Sequence, residues 1–197
     1  LVKYWGKTDP QIPKNASISF TLSESYTKTT AHFTKKKQSA KSEISVTLGG
    51  EKMDSFVPKI AQFLERINVY TPYLSNYHVE IITENSFPHS SGIASSASGM
   101  SALALCVMSL EKVLKPSLSA SFFKQKASFL ARLGSGSACR SIEGELVVWG
   151  KHENVVGSSD LLGIKFSEKI DPVFHHYQDS ILLIDKGEKV VSSTVGH

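Results

Sequence analysis

A chain of 197 residues, 41% of them hydrophobic, is long enough to bury a core in one domain, or in one domain and part of a second. Its net charge of +4 and pI of about 9.0 suit a small anionic ligand and fall short of the clustered basic charge of nucleic-acid-binding proteins. No run reaches the roughly 18 consecutive apolar residues of a membrane span, and no signal peptide is visible. We therefore expect a cytoplasmic protein with neither a nucleic acid nor a membrane as its partner.

The two cysteines lack the spacing of a metal or redox site. Cys106 lies in an apolar segment, and Cys139 stands alone near a run of glycines and serines. Isolated thiols of this kind are typical of buried residues in a reducing compartment. We expect both to be free.

The first part of the chain is predicted to consist mainly of strands, because β-branched residues recur there in partial alternation. The predicted strands are 1–5, 17–22, 27–34 and 44–48. Gly49-Gly50 predicts a tight turn after the last of them. Lys35-Lys36-Lys37 is interpreted as the solvated tip of a hairpin in preference to a polyanion site.

Helices and strands alternate irregularly further along the chain. Helices are predicted at 54–67, from 100 through 110 to an end near Lys115-Pro116, and at 121–133, and strands at 78–83, 145–150, 161–166 and 180–185. Because the repeating strand–helix unit of a doubly wound sheet is missing, the predicted fold class is α+β. Both ends of the chain look cut, so we expect part of the native protein to lie outside it.

The segment 88–99 is the first candidate for a binding site. Small residues fill nearly every position from 90 onward, and an apolar helix follows. A loop without bulky side chains lets the backbone approach a ligand, and the free N–H groups at the start of a helix attract an anion such as phosphate. The hydroxyls of Ser95, Ser96 and Ser98 offer hydrogen bonds or a magnesium ligand. A serine-rich turn that only caps a core helix fits this segment equally well.

Two further segments carry groups that bind anions. Glycines and serines alternate at 134–137, followed by Arg140, whose guanidinium can contact a carboxylate or phosphate with two donors. An aromatic pair near the start of the chain is followed by Lys7. Each cation taken alone has a structural explanation, Arg140 as the partner of a nearby glutamate and Lys7 as that of Asp9. Three such segments in one small chain favour a phosphorylated ligand.

Together these segments resemble the diphosphomevalonate decarboxylase family of the GHMP kinase superfamily. The segment 88–97 is similar to the superfamily motif Pro-x-x-x-Gly-Leu-x-Ser-Ser-Ala, with Ile93 in place of leucine. The Tyr-Trp-Gly-Lys run at 4–7 and the Ser-Gly-Ser-Ala-Cys-Arg run at 135–140 are more specific to the decarboxylase branch. The Ser-Thr-Val-Gly run at 193–196 matches that branch as well, so the resemblance covers nearly the whole chain.

The resemblance implies a GHMP kinase fold. Residues 1–178 would form the N-terminal, ATP-binding domain, which is related to a ribosomal-protein domain, and 179–197 the beginning of a C-terminal α/β domain. The implied reaction is the ATP-dependent decarboxylation of (R)-5-diphosphomevalonate to isopentenyl diphosphate, through phosphorylation of its 3-hydroxyl, in the mevalonate pathway of isoprenoid biosynthesis. ATP and Mg²⁺ are the implied cofactors, and a homodimer is the implied assembly.

The resemblance also implies roles for individual residues. ATP contacts are expected at Pro88, Ser91, Gly92, Ala94, Ser95, Ser96 and Ala97, with Ser95 or Ser96 near magnesium. Substrate contacts are expected at Tyr4, Trp5, Gly6, Lys7, Ser135, Gly136, Ser137, Ala138, Cys139, Arg140, Ser193 and Thr194. Lys7 would bind the diphosphate. Ser135, Ser137 and Arg140 would act in catalysis, the serines by hydrogen bonds to substrate oxygens and Arg140 by holding the carboxylate that is lost.

Several family features are missing or altered. The catalytic aspartate of the family is expected beyond His197, so no residue of this chain takes that role. The Ala-Pro-Ala-Asn run that usually precedes the first motif is absent, and His89-Ser90-Ser91 replaces the more usual Thr-Ala-Ala. Lys59 stands where the family often has a basic residue before the phosphate loop.

Three other interpretations stay open beside the main one. A sister enzyme, either a mevalonate 3-kinase or a phosphomevalonate decarboxylase, would lack the means to hold a diphosphate, and Lys7 with Ser135 and Ser137 argues against it. An RNA-binding module would need a basic and aromatic stripe and would leave the phosphate loop without a role. An inactive family member is the third.

Overall fold

The computed structural model describes residues 3–37, 41–88 and 95–182. Within these ranges the strands are β1 (Lys7–Thr8), β2 (Ile12–Pro13), β3 (Ser17–Phe20), β4 (Thr27–Lys35), β5 (Ile44–Leu48), β6 (Glu51–Lys52), β7 (Tyr77–Asn85), β8 (Leu146–Trp149) and β9 (Ile164–Lys165). The α-helices are α1 (Val57–Ile67), α2 (Ser95–Leu114) and α3 (Ala120–Gly134). Short 3-10 helices lie at Asp54–Phe56, Pro72–Asn76, Gly136–Ser141 and Pro172–His176.

A four-stranded sheet in the order β4-β7-β5-β6 forms one layer of the fold. β7 pairs antiparallel with β4 from Thr27↔Asn85 to Lys35↔Tyr77 and parallel with β5. Because β7 lies between β4 and β5, the interpretation of residues 35–37 as a hairpin tip is wrong: they begin a crossover. The predicted turn at Gly49-Gly50 is confirmed by positive φ angles of 59° and 91°, which suit glycine.

The three α-helices bury the main core. The buried face of α1 carries Ile60, Phe63 and Ile67, which have the i, i+3, i+4 spacing of an amphipathic helix. α2 packs against β4 and against α3, and its apolar side chains are buried around Ala104 and Val107, both at 0% exposure.

The second helix begins earlier than predicted, and it ends at Leu114, as expected from the proline at 116. Residues 95–99, expected in a loop, form its first turn. By length and composition α2 could cross a membrane, and it is the one helix of the described residues that could. Here it packs in the core, and its buried Glu111 pairs with the largely buried Lys126 and with the exposed Lys115.

A smaller antiparallel sheet in the order β3-β8-β9 and the hairpin β1-β2 form the rest of the fold. β8 is buried and ends at Trp149, whose ring meets Tyr4 edge-on at 5.2 Å. Three strand predictions need correction. Residues 3–6 are not in a strand, the strand predicted at 161–166 shrinks to Ile164–Lys165, and residues 180–182 are not in a strand either.

Antiparallel pairing dominates both sheets, and β5–β7 is the one parallel pair among the described strands. The helices are grouped on the larger sheet and do not alternate with parallel strands. The prediction of an α+β fold is therefore confirmed.

Candidate functional site

A cleft of about 350 Å³ opens beside the first turns of α2. It is lined by Ser19, Phe20, Thr21, Leu22, Ser25, Tyr26, Thr27, Phe87, Ala97, Ser98, Ser101, Ala102, Leu105, Ser137, Arg140 and Ser141. The cleft therefore brings the phosphate segment and the 134–140 segment together, as both were predicted to contribute to one site. Ser101, two residues beyond the phosphate segment, links α2 to the 134–140 segment, since its Oγ contacts the carbonyl of Ala97 at 2.8 Å and that of Ala138 at 2.6 Å.

Arg140 is fixed at the wall of this cleft. Its Nη1 donates to Ser17 Oγ at 3.0 Å, and Ser17 Oγ in turn donates to the carbonyl of Trp149 at 3.3 Å. The guanidinium lies 5.8 Å from the centre of the Tyr4 ring. Its Nε is buried and has no hydrogen-bond partner among the described residues. Burial lowers the pKa of Arg140, but an arginine stays charged at neutral pH because its ordinary pKa is so high.

Lys7 is held close to the 3-10 helix of 136–141. Its Nζ donates to Gln11 Oε1 at 2.7 Å, and the same oxygen accepts from the backbone N–H of Gly136 at 3.2 Å. Burial, followed by the positive charge of Arg66, lowers the pKa of Lys7, while Asp9 opposes this. One amide oxygen thus connects two of the three predicted segments.

Lys59 reaches the start of α2. Its Nζ donates to Ser96 Oγ at 2.7 Å, and burial, followed by the charge of Lys7, lowers the pKa of Lys59. The charge of Lys7 thus acts on Lys59 and that of Arg66 on Lys7, and Lys59 contacts Ser96, the neighbour of the cleft-lining Ala97. We call Lys7, Lys59 and Arg66 the cationic group. Like charges held this close favour the binding of an anion, which offsets their mutual repulsion.

Other predicted site residues lie apart from the cleft. The Trp5 side chain is 75% exposed, with the Lys3 ammonium 5.5 Å from its ring centre. Ala138 and Cys139 are buried, and burial raises the pKa of the Cys139 thiol to about 12. Gly136 allows close packing, because a Cβ there would lie 2.7 Å from the Trp149 ring.

Part of the predicted site falls outside the described residues. This part comprises His89, Ser90, Ser91, Gly92, Ile93 and Ala94 of the phosphate loop and Ser193 and Thr194 near the end of the chain. Across 3–37, 41–88 and 95–182 there is no group of three or more His, Cys, Asp or Glu side chains placed to hold a metal ion.

Three residues near the site were not identified from the sequence. Gln11 and Ser17 sit on short strands or turns without a recognisable motif, so their contacts depend on tertiary structure. Arg132 does carry a sequence signal, because it is an arginine on the mostly apolar face of a predicted helix. Arg132 is 1% exposed, and its guanidinium donates to the carbonyls of Pro10, Gln11 and Leu161.

Comparison with known protein families gives one match. The model of the diphosphomevalonate decarboxylase-like N-terminal domain matches residues 1–161.

Curated relatives carry the same description. The chain is 34% identical over its full length to a diphosphomevalonate decarboxylase of Aspergillus fumigatus, covering 49% of it, and 29% identical to that of Homo sapiens, also covering 49%. The chain thus spans about half the length of the curated relatives it matches.

Solved structures agree with these relatives. Mevalonate diphosphate decarboxylase from Staphylococcus aureus superimposes with a TM-score of 0.64 at 35% identity, over 82% of this chain and 44% of that one. MDDEF in complex with MVAPP, AMPPCP and magnesium gives a TM-score of 0.62 at 34% identity, over 82% and 45%.

Proposed function

The chain belongs to the diphosphomevalonate decarboxylase family, and from this premise we propose that it forms the nucleotide- and substrate-binding part of an ATP-dependent decarboxylase. The proposed substrate is (R)-5-diphosphomevalonate. The proposed products are isopentenyl diphosphate, carbon dioxide, ADP and phosphate, in the mevalonate pathway. Residues 1–178 are proposed as the ATP-binding domain and 179–197 as the start of the next one.

The observation that carries this proposal is the meeting of three anion-binding segments. Ser98 and Ser137 line one cleft with Arg140. The cationic group stands beside that cleft, because Lys59 contacts Ser96 and Lys7 is linked through Gln11 to Gly136. A ligand with a carboxylate at one end and a diphosphate at the other matches this distribution of positive charge.

The start of α2 has the features that a nucleotide phosphate requires. Its free backbone N–H groups and dipole attract anions, and Lys59 adds an ammonium at Ser96 Oγ. An ammonium at this position disfavours a second cation on the same oxygen, so Ser96 fits a phosphate contact and Ser95 is the better candidate for holding Mg²⁺. When bound, ATP would supply the phosphoryl group that makes the 3-hydroxyl a leaving group, and Mg²⁺ would neutralise charge on its phosphates.

The residues of this chain bind and orient the substrate. Arg140 lines the cleft and holds the carboxylate with the Nη donors that Ser17 leaves available, and its fixed position keeps the carboxylate aligned for loss. Lys7 binds the diphosphate. Ser137 lines the cleft and donates to a substrate oxygen. Phosphoryl transfer depends on this kind of positioning and charge neutralisation more than on covalent chemistry by the protein.

The sister activities are disfavoured by the cationic group. A substrate with one phosphate or none would leave part of the charge of Lys7, Lys59 and Arg66 without a partner. For the protein in the cell we propose a cytoplasmic homodimer, as the family resemblance implies, with the small substrate and ATP as partners.

The test is a turnover assay with the full-length protein. With ATP, Mg²⁺ and diphosphomevalonate, we expect carbon dioxide, ADP and phosphate in equal amounts. The matched controls are 5-phosphomevalonate and mevalonate at the same concentrations. Turnover of mevalonate or of the monophosphate in preference to the diphosphate would overturn the proposed substrate, and size-exclusion chromatography with light scattering tests the dimer.

A further inference from the structure

We propose that Gln11 is a positioning residue that holds the Lys7 ammonium beside residues 136–141 and so sets the distance between two substrate-binding segments. The Oε1 atom of Gln11 accepts from Lys7 Nζ at 2.7 Å and from the Gly136 N–H at 3.2 Å. The inference rests on the function proposed above, in which Lys7 and the 135–140 segment bind one substrate.

A neutral amide suits this task. Lysine has a flexible four-carbon stem, and fixing its ammonium before the ligand arrives reduces the rotamer freedom that binding would otherwise remove. The amide oxygen of Gln11 can hold the ammonium without cancelling its charge. A carboxylate at the same place would neutralise Lys7 and weaken its attraction for an anionic ligand.

The backbone of Gln11 is held in place by the buried side chain of Arg132. Gln11 has a φ of 63°, in the left-handed region that non-glycine residues seldom adopt. The buried Arg132 holds this conformation, because its Nη1 donates to the carbonyls of Pro10 and Gln11. Arg132 is itself anchored by its Nε bond to the Leu161 carbonyl at 2.7 Å and by the Phe129 ring, 5.2 Å away.

Gly136, the second donor to the Gln11 amide oxygen, is also constrained. At Gly136 an added Cβ would lie 2.7 Å from the Trp149 ring and 3.3 Å from Gln11 Oε1. Glycine therefore lets the backbone N–H approach the Gln11 amide. With both sides fixed, the Gln11 side chain determines where the Lys7 ammonium stands relative to Ser137 and Arg140.

The test compares two variants of Gln11 in the full-length protein. Gln11→Asn keeps the amide and a residue type that tolerates the left-handed region, but it is one methylene too short to hold both donors. We expect it to raise the KM for diphosphomevalonate about tenfold, the loss expected for one hydrogen bond to a charged group. The kcat should stay within about twofold, and the melting temperature should not change. Gln11→Glu keeps the length and adds a charge, so its KM should rise at least as much.

A double-variant cycle separates positioning from a general structural role. If Gln11 acts through Lys7, adding Gln11→Asn to Lys7→Met should raise KM by less than about twofold. The inference would be overturned if the effects of the two substitutions on KM multiplied, if the Gln11→Asn single variant had an unchanged KM, or if it lost only kcat. Each of these results would leave the proposed function standing.

Failure of the proposed function has a different signature, namely no turnover by the unchanged protein. In that case calorimetry with inorganic pyrophosphate still decides the inference. Gln11→Asn and Lys7→Met should weaken pyrophosphate binding by similar factors, and equal binding by Gln11→Asn and the unchanged protein would overturn it.

Discussion

At the scale of single residues, Arg140 combines a fixed position with donors that remain available. Ser17 takes one Nη1 donor, the Tyr4 ring lies 5.8 Å away, and the buried Nε has no acceptor within the described ranges. A lysine at this position would keep the charge but would present a single ammonium in place of a planar fork. Two-point binding of a carboxylate would then be lost.

We therefore predict that Arg140→Lys lowers kcat about 100-fold, the range seen when one preorganised donor to a reacting group is removed. Steady-state turnover of diphosphomevalonate measures the effect. Ser17→Ala is the matched control, because it removes one fixing contact of Arg140 and keeps the guanidinium, and it should cost far less activity. Near-normal activity of Arg140→Lys would contradict the role of Arg140 as the carboxylate ligand.

Lys59 makes the site sensitive to alkaline pH. Burial and the charge of Lys7 lower the pKa of Lys59 below its ordinary value of 10.5. The kcat/KM for diphosphomevalonate should therefore fall as pH rises, with the loss beginning below 10.5. In Lys59→Arg the guanidinium stays protonated, so the loss should become smaller and move to higher pH. An unchanged pH profile in that variant would show that Lys59 does not bind the anionic ligands.

The contribution of Lys59 to the free energy of unfolding changes with pH in the opposite direction to its contribution to kcat/KM. Since the pKa of Lys59 is lower in the folded chain, the unfolded chain binds more protons between the lowered pKa and 10.5. The contribution of Lys59 to the free energy of unfolding therefore rises with pH in that window.

At the scale of elements, local periodicity was sufficient for the helices and insufficient for strand pairing. The apolar spacing in α1 and α3 predicted both helices to within a few residues. The hairpin predicted at residues 35–37 was wrong because β4 pairs with β7, some forty residues further along the chain, and not with the next strand. The small residues 95–99 were assigned to the phosphate loop, yet serine and alanine at a helix start are compatible with either state.

In the candidate site, too, local sequence runs were informative and long-range contacts were not. The runs at 88–97 and 135–140 each include residues that line the cleft, namely Ala97, Ser137 and Arg140, because the chemistry of their residue types is visible in the sequence. The run at 4–7 stays a prediction. The contacts of Gln11, Ser17 and Arg132 were not predictable, since each joins residues more than 100 positions apart.

The far end of α2 carries a buried ion-pair network that serves the fold. Glu111 is 2% exposed and accepts from Lys126 Nζ at 2.7 Å and from the Tyr73 hydroxyl at 3.2 Å. Burial, followed by the neighbouring Glu111 carboxylate, raises the pKa of Tyr73, so its hydroxyl stays protonated as a donor. The network joins α2 to α3 and to the 3-10 helix at Pro72–Asn76.

We predict that Glu111→Gln lowers the free energy of unfolding by about 3 kcal/mol, because it leaves the largely buried Lys126 without a counter-charge. Denaturant titration measures this. Lys115→Ala is the control: the exposed Lys115 also contacts Glu111, at 3.6 Å, and its loss should cost less than about 1 kcal/mol. Glu111 lies 13 residues along α2 from Ser98, which is about 20 Å. A selective loss of activity in a stably folded Glu111→Gln would contradict a purely structural role.

At the scale of the whole molecule, the net charge of +4 is less important than where the cations stand. Exposed lysines pair with neighbouring carboxylates, as Lys28 does with Glu84 and Lys165 with Glu145. Lys7, Lys59 and Arg66 instead lie in one region near the cleft, where Lys7 and Arg66 are half-buried and Lys59 is exposed. Salt screens partly buried charges less than exposed ones, so this region keeps its attraction for anions in solution of moderate ionic strength.

Ionic strength separates this local attraction from that of the molecule as a whole. We predict that the KM for diphosphomevalonate rises modestly between about 0.01 and 0.15 M salt, over which the Debye length falls from about 30 to 8 Å, while kcat stays constant. The double variant Lys151→Gln/Lys169→Gln lowers the net charge by two through exposed lysines and should keep both the KM and its salt dependence. Lys59→Met removes one charge and should raise the KM while reducing its dependence on salt. If the surface double variant changed the KM as much as Lys59→Met does, the net charge of the whole protein, and not the cationic group beside the cleft, would determine how this chain attracts its substrate.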